Sequence, residues 1–203
     1  MKLYNLAAGM NPRRVRIFLA EKAVDIEIVD IDMLKNENQT DAFLAKNPMG
    51  KLPVLELDDG TCVAESMAIC RYIEELHPSP PLLGTTALER ARIEMWNRRM
   101  ELEILLPVGG GVFRHGHPFW AERLEQIPAY ASQCRDQVRT RMAWLNDELA
   151  GRQFIAGDQY TVADITAQCA FIVAKACKLR IPDELAHLGR WFEQVSARPT
   201  SRA

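Results

Sequence analysis

The chain has 203 residues, of which 48% are hydrophobic, so it is long enough for one large domain or two small ones with a sizeable buried core. Acidic and basic residues are interspersed and the formal net charge is -2, which gives no basic stripe of the kind that binds nucleic acid. No apolar run approaches the ~18 residues of a membrane span, and the first residues lack the pattern of a signal peptide. We therefore expect no nucleic-acid or membrane partner and a cytoplasmic location.

The cysteine spacing gives no sign of a zinc site or of a CxxC redox pair. The five cysteines are odd in number, match no zinc-binding pattern and include no CxxC pair. We expect reduced thiols and no metal. The cysteines are Cys62, Cys70, Cys134, Cys169 and Cys177.

The first part of the chain alternates strand and helix patterns. Residues 2–6 predict a strand, and Pro12 is placed to start an amphipathic helix, because a proline in the first turn loses no hydrogen bond. Residues 26–31 alternate and are rich in β-branched side chains, which indicates a second strand. Residues 40–46 predict a short helix.

A hairpin and a helix complete this part of the chain. Asp59-Gly60 lies between the apolar stretches 51–57 and 61–64, and this is a strong hairpin signal. Residues 66–76 have one apolar face and predict a helix. The order β-α-β-α-β-β-α is the thioredoxin-like arrangement with a mixed four-stranded sheet.

The pattern changes after the proline-rich stretch His77 to Pro81. Beyond it the sequence predicts only helices, near 86–114, 120–150, 161–178 and 183–197. We expect a thioredoxin-like α/β domain at residues 1–77, a linker at 78–85 and an all-α domain at 86–203.

Pro53 stands at the start of an apparent central strand, where proline is usually excluded. One explanation is a cis peptide bond, which would turn the backbone N–H and C=O of Leu52 outward to pair with an extended peptide ligand. The other is an ordinary proline of an edge strand. The local sequence leaves both open.

Glu65-Ser66 follows a strand and opens a helix. Ser66 is a natural N-cap, and a helix N-terminus with a hydroxyl binds a carboxylate well. Glu65 could accept from an ammonium, so together the pair could hold a γ-glutamyl group. The alternative is a simple cap beside a solvated acid.

Two segments together carry a family resemblance. Asn47-Pro48-Met49-Gly50-Lys51-Leu52-Pro53-Val54-Leu55, followed by Ala64-Glu65-Ser66-Met67-Ala68-Ile69, resembles the glutathione-binding half of cytosolic glutathione S-transferases. Thr161-Val162-Ala163-Asp164-Ile165 matches the capping box of that family's helical domain. The resemblance extends over nearly the whole chain.

The resemblance implies roles for glutathione-binding residues. Leu52, before cis-Pro53, would pair through its backbone with the cysteinyl part, and Glu65 with Ser66 would bind the γ-glutamyl end. A basic residue and a polar loop residue would hold the glycyl carboxylate. The residues implied at this site are Gly9, Met10, Asn38 or Gln39, Lys51, Leu52, Pro53, Glu65 and Ser66.

The group that activates the glutathione thiol departs from the usual Tyr or Ser. Tyr4 lies too early in the first strand, and the family's serine position falls on Gly9. The remaining candidates are Asn11, the N-terminus of the helix begun at Pro12, and His115 acting through a bound water. His115 is suggested by resemblance to a theta/zeta-like bacterial and fungal branch that lacks the usual Tyr or Ser, with His117 as the second match.

The implied reaction is attack of the glutathione thiolate on a small hydrophobic electrophile, in a detoxification role, by a homodimer. The electrophile is expected between the domains, beside apolar residues that could equally belong to the core. Glutathione-dependent disulfide or peroxide reduction, and a non-catalytic glutathione-binding module, remain as alternatives. The residues proposed for the electrophile pocket are Phe113, His117, Phe119 and Trp120.

Overall fold

The computed structural model describes all 203 residues and divides into two compact units. One unit is Met1–Pro81 with Arg202–Ala203, and the other is Leu82–Ser201. The division after Pro81 falls inside residues 78–85.

The first unit contains four strands and three helices in the order expected from the sequence. Two short 3-10 helices, Met33–Lys35 and Glu37–Gln39, precede its second helix. The elements are β1 (Lys2–Asn5), α1 (Met10–Glu21), β2 (Glu27–Asp30), α2 (Asp41–Leu44), β3 (Val54–Glu56), β4 (Cys62–Ala64) and α3 (Ser66–Leu76).

The sheet is mixed, with strand order β2-β1-β3-β4. β1 runs parallel to β2, while β3 is antiparallel to both β1 and β4. Leu3 lies opposite Leu55, and both are fully buried together with Phe18 of α1 and Ile69 of α3. The predicted thioredoxin-like class and the Asp-Gly hairpin are confirmed.

Two boundaries in this unit differ from expectation. α1 begins at Met10 rather than at Pro12, so Pro12 is the third helical residue and still loses no hydrogen bond. α3 spans residues 66–76 as predicted, but its N-cap is Glu65 rather than Ser66. Glu65 has φ 68°, and this left-handed turn places Ser66 inside the helix.

The second unit is helical, as predicted. Short 3-10 helices lie at Pro118–Trp120 and Pro199–Arg202. No helix of the protein combines the length and apolar character needed to cross a bilayer. The elements are α4 (Ala87–Met100), two π-helical stretches (Glu101–Leu105 and Pro107–Phe113), α5 (Arg114–Gly116), α6 (Pro128–Glu148), α7 (Val162–Ala176) and α8 (Ala186–Ser196).

The helix expected at 120–150 begins eight residues later, at Pro128. A proline is accepted at the first helical position but breaks a helix interior, so it sets the start of α6. The helix expected at 86–114 is continuous but changes to π-type pairing after Met100. Pro107 lacks the N–H that regular α pairing would need there.

Asp164 organises the start of α7. Its Oδ2 accepts from the backbone N–H of Thr161 at 2.9 Å, which confirms the predicted capping box. Its Oδ1 accepts from the N–H of Ile155 at 2.9 Å and from Nε1 of Trp191 at 2.8 Å. Asp164 is fully buried, and this burial raises the pKa of the carboxyl to about 6.

Candidate active site

The loop between β1 and α1 presents free backbone donors. Gly9 is the N-cap of α1, and its C=O accepts from Arg13, the first paired N–H of the helix. Because Pro12 has no N–H, the orphan donors at this end are those of Met10 and Asn11, and neither has an acceptor within the chain. The helix end therefore offers two N–H groups, and Asn11 adds a side-chain amide.

Gly9 cannot readily carry a hydroxyl side chain. A Cβ added at Gly9 would lie 3.0 Å from the ring of Pro12 and 3.2 Å from the C=O of Leu6. These contacts are tighter than ordinary van der Waals contact. A side chain at this position would require Pro12 or the Leu6 carbonyl to shift by a few tenths of an ångström.

The same loop is held from one side by polar side chains that the sequence reasoning missed. Arg16 donates to Oδ1 of Asn5 at 2.5 Å and to the C=O of Ala7 at 2.9 Å. Asn5 in turn donates to Asp30 at 2.5 Å. This chain of bonds fixes the path of Leu6 to Ala8 before α1 begins.

Leu52 lies outside the β-ladder, which starts with the pairing of Val54 and Tyr4. The Leu52–Pro53 peptide bond is cis, so that alternative for Pro53 is confirmed. Neither the N–H nor the C=O of Leu52 makes a hydrogen bond within the chain. Both groups are available to an extended ligand.

The two candidates for the glycyl carboxylate differ in exposure. Asn38 is buried, and its Nδ2 donates to the C=O of Gly50 at 2.8 Å. Gln39 and Lys51 are exposed. The loop before β3 therefore leaves Gln39 and Lys51 free to meet an anion, while Asn38 fixes the backbone behind them.

Glu65 and Ser66 lie at the start of α3. Glu65 is exposed, Ser66 is buried, and the N–H groups of Ser66, Met67 and Ala68 have no acceptor within the chain. The first paired N–H belongs to Ile69 and donates to Glu65. The helix end thus offers three backbone donors beside one hydroxyl and one carboxylate.

Arg14 is the functional candidate that the sequence reasoning did not identify. Its side chain has no solvent exposure, and its Nη1 donates to Oγ of Ser66 at 2.9 Å. A signal was present in the sequence, because Arg14 precedes the buried Phe18 by one helical turn and so lies on the apolar face of α1.

The two candidate histidines lie in the helical unit, with defined partners. Nδ1 of His115 accepts from the N–H of Ile127 at 3.2 Å, and Nδ1 of His117 accepts from the N–H of Phe119 at 3.2 Å. Because Nδ1 of each histidine accepts a hydrogen bond, a neutral imidazole carries its proton on Nε2. Nε2 is then the atom of each ring that can donate. His115 also meets Tyr130 edge to face, with 5.5 Å between the ring centroids.

The predicted electrophile-site residues form one aromatic cluster. The ring of Phe113 lies 5.1 Å from that of His117, 6.1 Å from that of Phe119 and 6.0 Å from that of Trp120. None of the three apolar rings is fully buried, and Phe119 is 39% exposed. Phe113 and Trp120 are half-buried, and 118–120 form a short 3-10 helix rather than the start of α6.

Comparison with known proteins identifies the family. The model of the glutathione S-transferase N-terminal domain matches residues 1–75, and that of the C-terminal domain matches residues 108–199. Glutathione S-transferase 2 of Saccharomyces cerevisiae is 40% identical over 204 residues, covering 98% of this chain and 87% of the yeast protein. This chain belongs to the glutathione S-transferase family.

Solved glutathione S-transferase structures agree with this assignment over the same length. Gtt2 of Saccharomyces cerevisiae superposes with a TM-score of 0.92, at 40% identity and with 98% of each chain covered. A glutathione S-transferase domain-containing protein of Marinobacter aquaeolei VT8 superposes with a TM-score of 0.91 at 40% identity, covering 98% of this chain and 99% of that one. The chain is an enzyme that conjugates glutathione.

Proposed function

We propose that this transferase holds glutathione on the Met1–Pro81 unit and joins its thiolate to small hydrophobic electrophiles. The observation that carries the proposal is the set of backbone groups without partners at the cis peptide and at the start of α3. Leu52 offers one donor and one acceptor, as an added peptide strand requires. Ser66 offers a donor at a helix N-terminus, as a carboxylate requires.

Each part of glutathione then has a partner. The cysteinyl backbone pairs with Leu52, beside Pro53, and the γ-glutamyl carboxylate meets the N–H groups and hydroxyl at Ser66. Glu65 accepts from the γ-glutamyl ammonium. Lys51 and Gln39 bind the glycyl carboxylate, with Asn38 supporting the loop through Gly50.

The thiol lies, in this proposal, at the β1–α1 loop formed by Gly9, Met10 and Asn11. Hydrogen bonds to a thiolate and the partial positive charge of a helix N-terminus both favour the ionised sulfur. Asn11 and the two orphan N–H groups supply them without a Tyr or Ser hydroxyl. His115, with Nε2–H as its donor, is the second candidate and would act through a water.

The electrophile meets the aromatic cluster of Phe113, His117, Phe119 and Trp120. Two arginines stack on this cluster, with Arg123 4.3 Å from the Phe119 ring centroid and Arg114 5.3 Å from that of Trp120. Partly exposed aromatic faces suit flat apolar substrates. Removal of reactive compounds of this kind is the detoxification role that we propose.

The binding and transfer steps can be tested separately. Wild-type protein should bind immobilised glutathione and turn over a chloronitrobenzene acceptor, and Ser66→Ala should raise KM for glutathione about tenfold or more. Retention on the resin without turnover would leave a binding module only. Turnover of hydroxyethyl disulfide in place of the chloronitrobenzene would instead favour the reductase.

A homodimer is proposed from one exposed face. Leu88, Met95 and Leu102 follow one another at seven-residue spacing along the helix that starts with α4, and all are at least 41% exposed. Seven residues are two helical turns, so these side chains share a face, which Leu106 extends. An apolar stripe of this kind is expected to be covered by a second copy.

A charged side chain introduced on this apolar face should prevent dimer formation. Met95→Glu should shift the sedimenting species from two copies to one, whereas Ile28→Glu, at a similarly exposed apolar residue of β2, should not. A monomeric wild type at micromolar concentration would contradict the proposal.

A cytoplasmic location is also proposed. All five cysteines are free thiols, as expected in a reducing compartment. Cell fractionation should recover the protein with cytosolic markers, and recovery with an exported fraction would overturn this.

A further inference from the structure

Arg14 is a buried cation that contacts Ser66, a residue of the proposed glutathione site. It belongs to α1 and has 0% exposure, while Ser66 belongs to α3 and is 5% exposed. Nη1 of Arg14 donates to Oγ of Ser66 at 2.9 Å, across 52 residues of sequence. The bond therefore forms only when α1 and α3 have packed.

This bond has a consequence for the serine hydroxyl. A hydroxyl has one donor and two acceptor sites, and the guanidinium occupies an acceptor site. The hydroxyl proton is then directed away from Arg14. Ser66 is the first residue of α3 and its own N–H has no acceptor in the chain, so the hydroxyl and the N–H can both donate to one anion.

The positive charge of Arg14 has a second effect on the Ser66 hydroxyl, besides orienting it. A guanidinium keeps its proton in proteins, and at zero exposure its field is weakly screened. A cation behind a hydroxyl makes the hydroxyl a stronger donor to a carboxylate on the other side. The arrangement favours an anion over a neutral group at the start of α3.

We propose that Arg14 is a positioning residue for the α-carboxylate of the γ-glutamyl group, acting through Ser66. This rests on the proposed binding of glutathione at Ser66. Arg14 does not contact the ligand: it orients the Ser66 hydroxyl and strengthens it as a donor. A purely structural role, joining α1 to α3, would instead affect every ligand equally.

Ligands that differ at one end separate the two roles. The probes are glutathione, γ-aminobutyryl-cysteinyl-glycine, which lacks the α-carboxylate, and glutaryl-cysteinyl-glycine, which lacks the ammonium. Arg14→Gln should raise the Kd of glutathione and of the glutaryl analogue about tenfold or more. It should change the Kd of the aminobutyryl analogue less than about threefold.

Kinetics and a second substitution sharpen the test. Arg14→Gln should raise KM for glutathione more than it lowers kcat, because the substitution weakens binding of the γ-glutamyl carboxylate while the reacting sulfur belongs to the neighbouring cysteinyl residue. In a Ser66→Ala background, the same substitution should have less than half of its single-variant effect on log Kd. Arg14→Lys keeps the charge but loses the fixed guanidinium geometry, and should give an intermediate Kd.

Some outcomes would overturn the proposal while leaving glutathione binding intact. They are equal weakening of the binding of all three ligands by Arg14→Gln or Arg14→Lys, or additive effects with Ser66→Ala.

If both variants fail to fold, a crystal structure of the wild type with glutathione decides. The α-carboxylate should lie within hydrogen-bond reach of Ser66 Oγ with Arg14 still bonded to it, and a carboxylate elsewhere refutes the role. Absence of glutathione binding by the wild type would refute the proposed function itself.

Discussion

The hydroxyl of Tyr4 donates a hydrogen bond to Oε2 of Glu56 at 2.6 Å, and Lys46 pairs with the same oxygen at 2.7 Å. The bond to Glu56 raises the pKa of Tyr4, so the phenol stays protonated. Tyr4 is therefore part of a polar contact between β1, β3 and the segment that follows α2. We therefore expect a group other than Tyr4 to activate the thiol.

Tyr4→Phe should retain transferase activity. We expect kcat/KM for a chloronitrobenzene acceptor within about twofold of wild type and an unchanged pH profile, because the hydroxyl serves Glu56. Loss of that bond should lower the free energy of unfolding by about 1 kcal/mol. A loss of activity of about a hundredfold, in a folded variant, would make Tyr4 the activating group after all.

Asn11 should lower the pKa of the bound glutathione thiol. Asn11→Ala removes an amide donor and should move the midpoint of the kcat/KM pH profile upward by about one unit, or about 1.4 kcal/mol. Asn11→Asp should raise it further, since a carboxylate repels the thiolate. Profiles that coincide with wild type would dismiss Asn11.

His115 is tested by the same measurement. His115→Ala removes Nε2–H and should also raise the midpoint if a water relays this donor to the sulfur. His187→Ala, at an exposed histidine of α8, is the matched control. An identical profile for both variants would leave the helix end and Asn11 as the activating groups.

Gln39 should contribute to glutathione binding, whereas Asn38 should contribute to stability. Gln39→Ala should raise KM for glutathione several-fold without changing stability, because the side chain is exposed. Asn38→Ala removes the donor to the Gly50 C=O and should destabilise the protein by about 1–3 kcal/mol in urea unfolding. The reverse pattern would assign the glycyl carboxylate to Asn38.

Gly111 should not tolerate a methyl group. A Cβ there would lie 2.3 Å from Sγ of the buried Cys134 and 2.6 Å from its Cβ, so Gly111→Ala should lower the free energy of unfolding by about 1–3 kcal/mol. Gly110→Ala is the matched control in the same π-helical stretch, because its added Cβ meets nothing within 4 Å. Equal unfolding midpoints for both variants would contradict this close packing.

Asp164 should give stability a characteristic dependence on pH. Its pKa is raised from 3.8 to about 6 in the folded chain, so between these values the folded chain holds a proton that the unfolded chain has lost. The contribution of this group to the free energy of unfolding is therefore highest below about pH 4 and falls as pH rises to about 6.

Asp164→Asn removes that titration and exposes its effect. At pH 7 the variant should be less stable by about 1–3 kcal/mol, because an amide N–H₂ faces donors that a carboxylate oxygen had accepted from. The gap between wild type and variant should be larger near pH 4 than at pH 7. Asp136→Asn, on the exposed surface of α6, should leave no such trend, and a gap that widens with pH would show the opposite sign of shift.

Features with local causes could be predicted from the sequence. Asp59-Gly60 sets the hairpin turn, and Thr161 with Asp164 forms a capping box within one turn of helix. Pro53 in a strand pattern pointed either to an edge strand or to a cis bond, and the structure contains the cis bond. Each depends on residues within a few positions, whose conformational preferences act whatever the rest of the chain does.

Boundaries were predictable only to within a turn or two. α6 starts at Pro128 and α3 has its N-cap at Glu65, and both positions differ from expectation. The apolar periodicity extends past these positions, so it does not show where a cap or a proline ends the helix. The residue type gave no sign of the positive φ at Glu65, because that backbone region favours glycine.

The sequence by itself determined the fold class and the family, and it supplied the residues of the proposed glutathione site, because turn, cap and proline signals are local and their order is specific. Only the tertiary structure decided which polar groups are available to a ligand. The Tyr4 hydroxyl is hydrogen-bonded to Glu56, and the Asn38 amide is hydrogen-bonded to Gly50. The backbone N–H and C=O of Leu52 have no partner in the chain. The Ser66 hydroxyl accepts a hydrogen bond from Arg14. These outcomes depend on contacts between residues as many as 52 positions apart, which exist only after helices and sheet have packed.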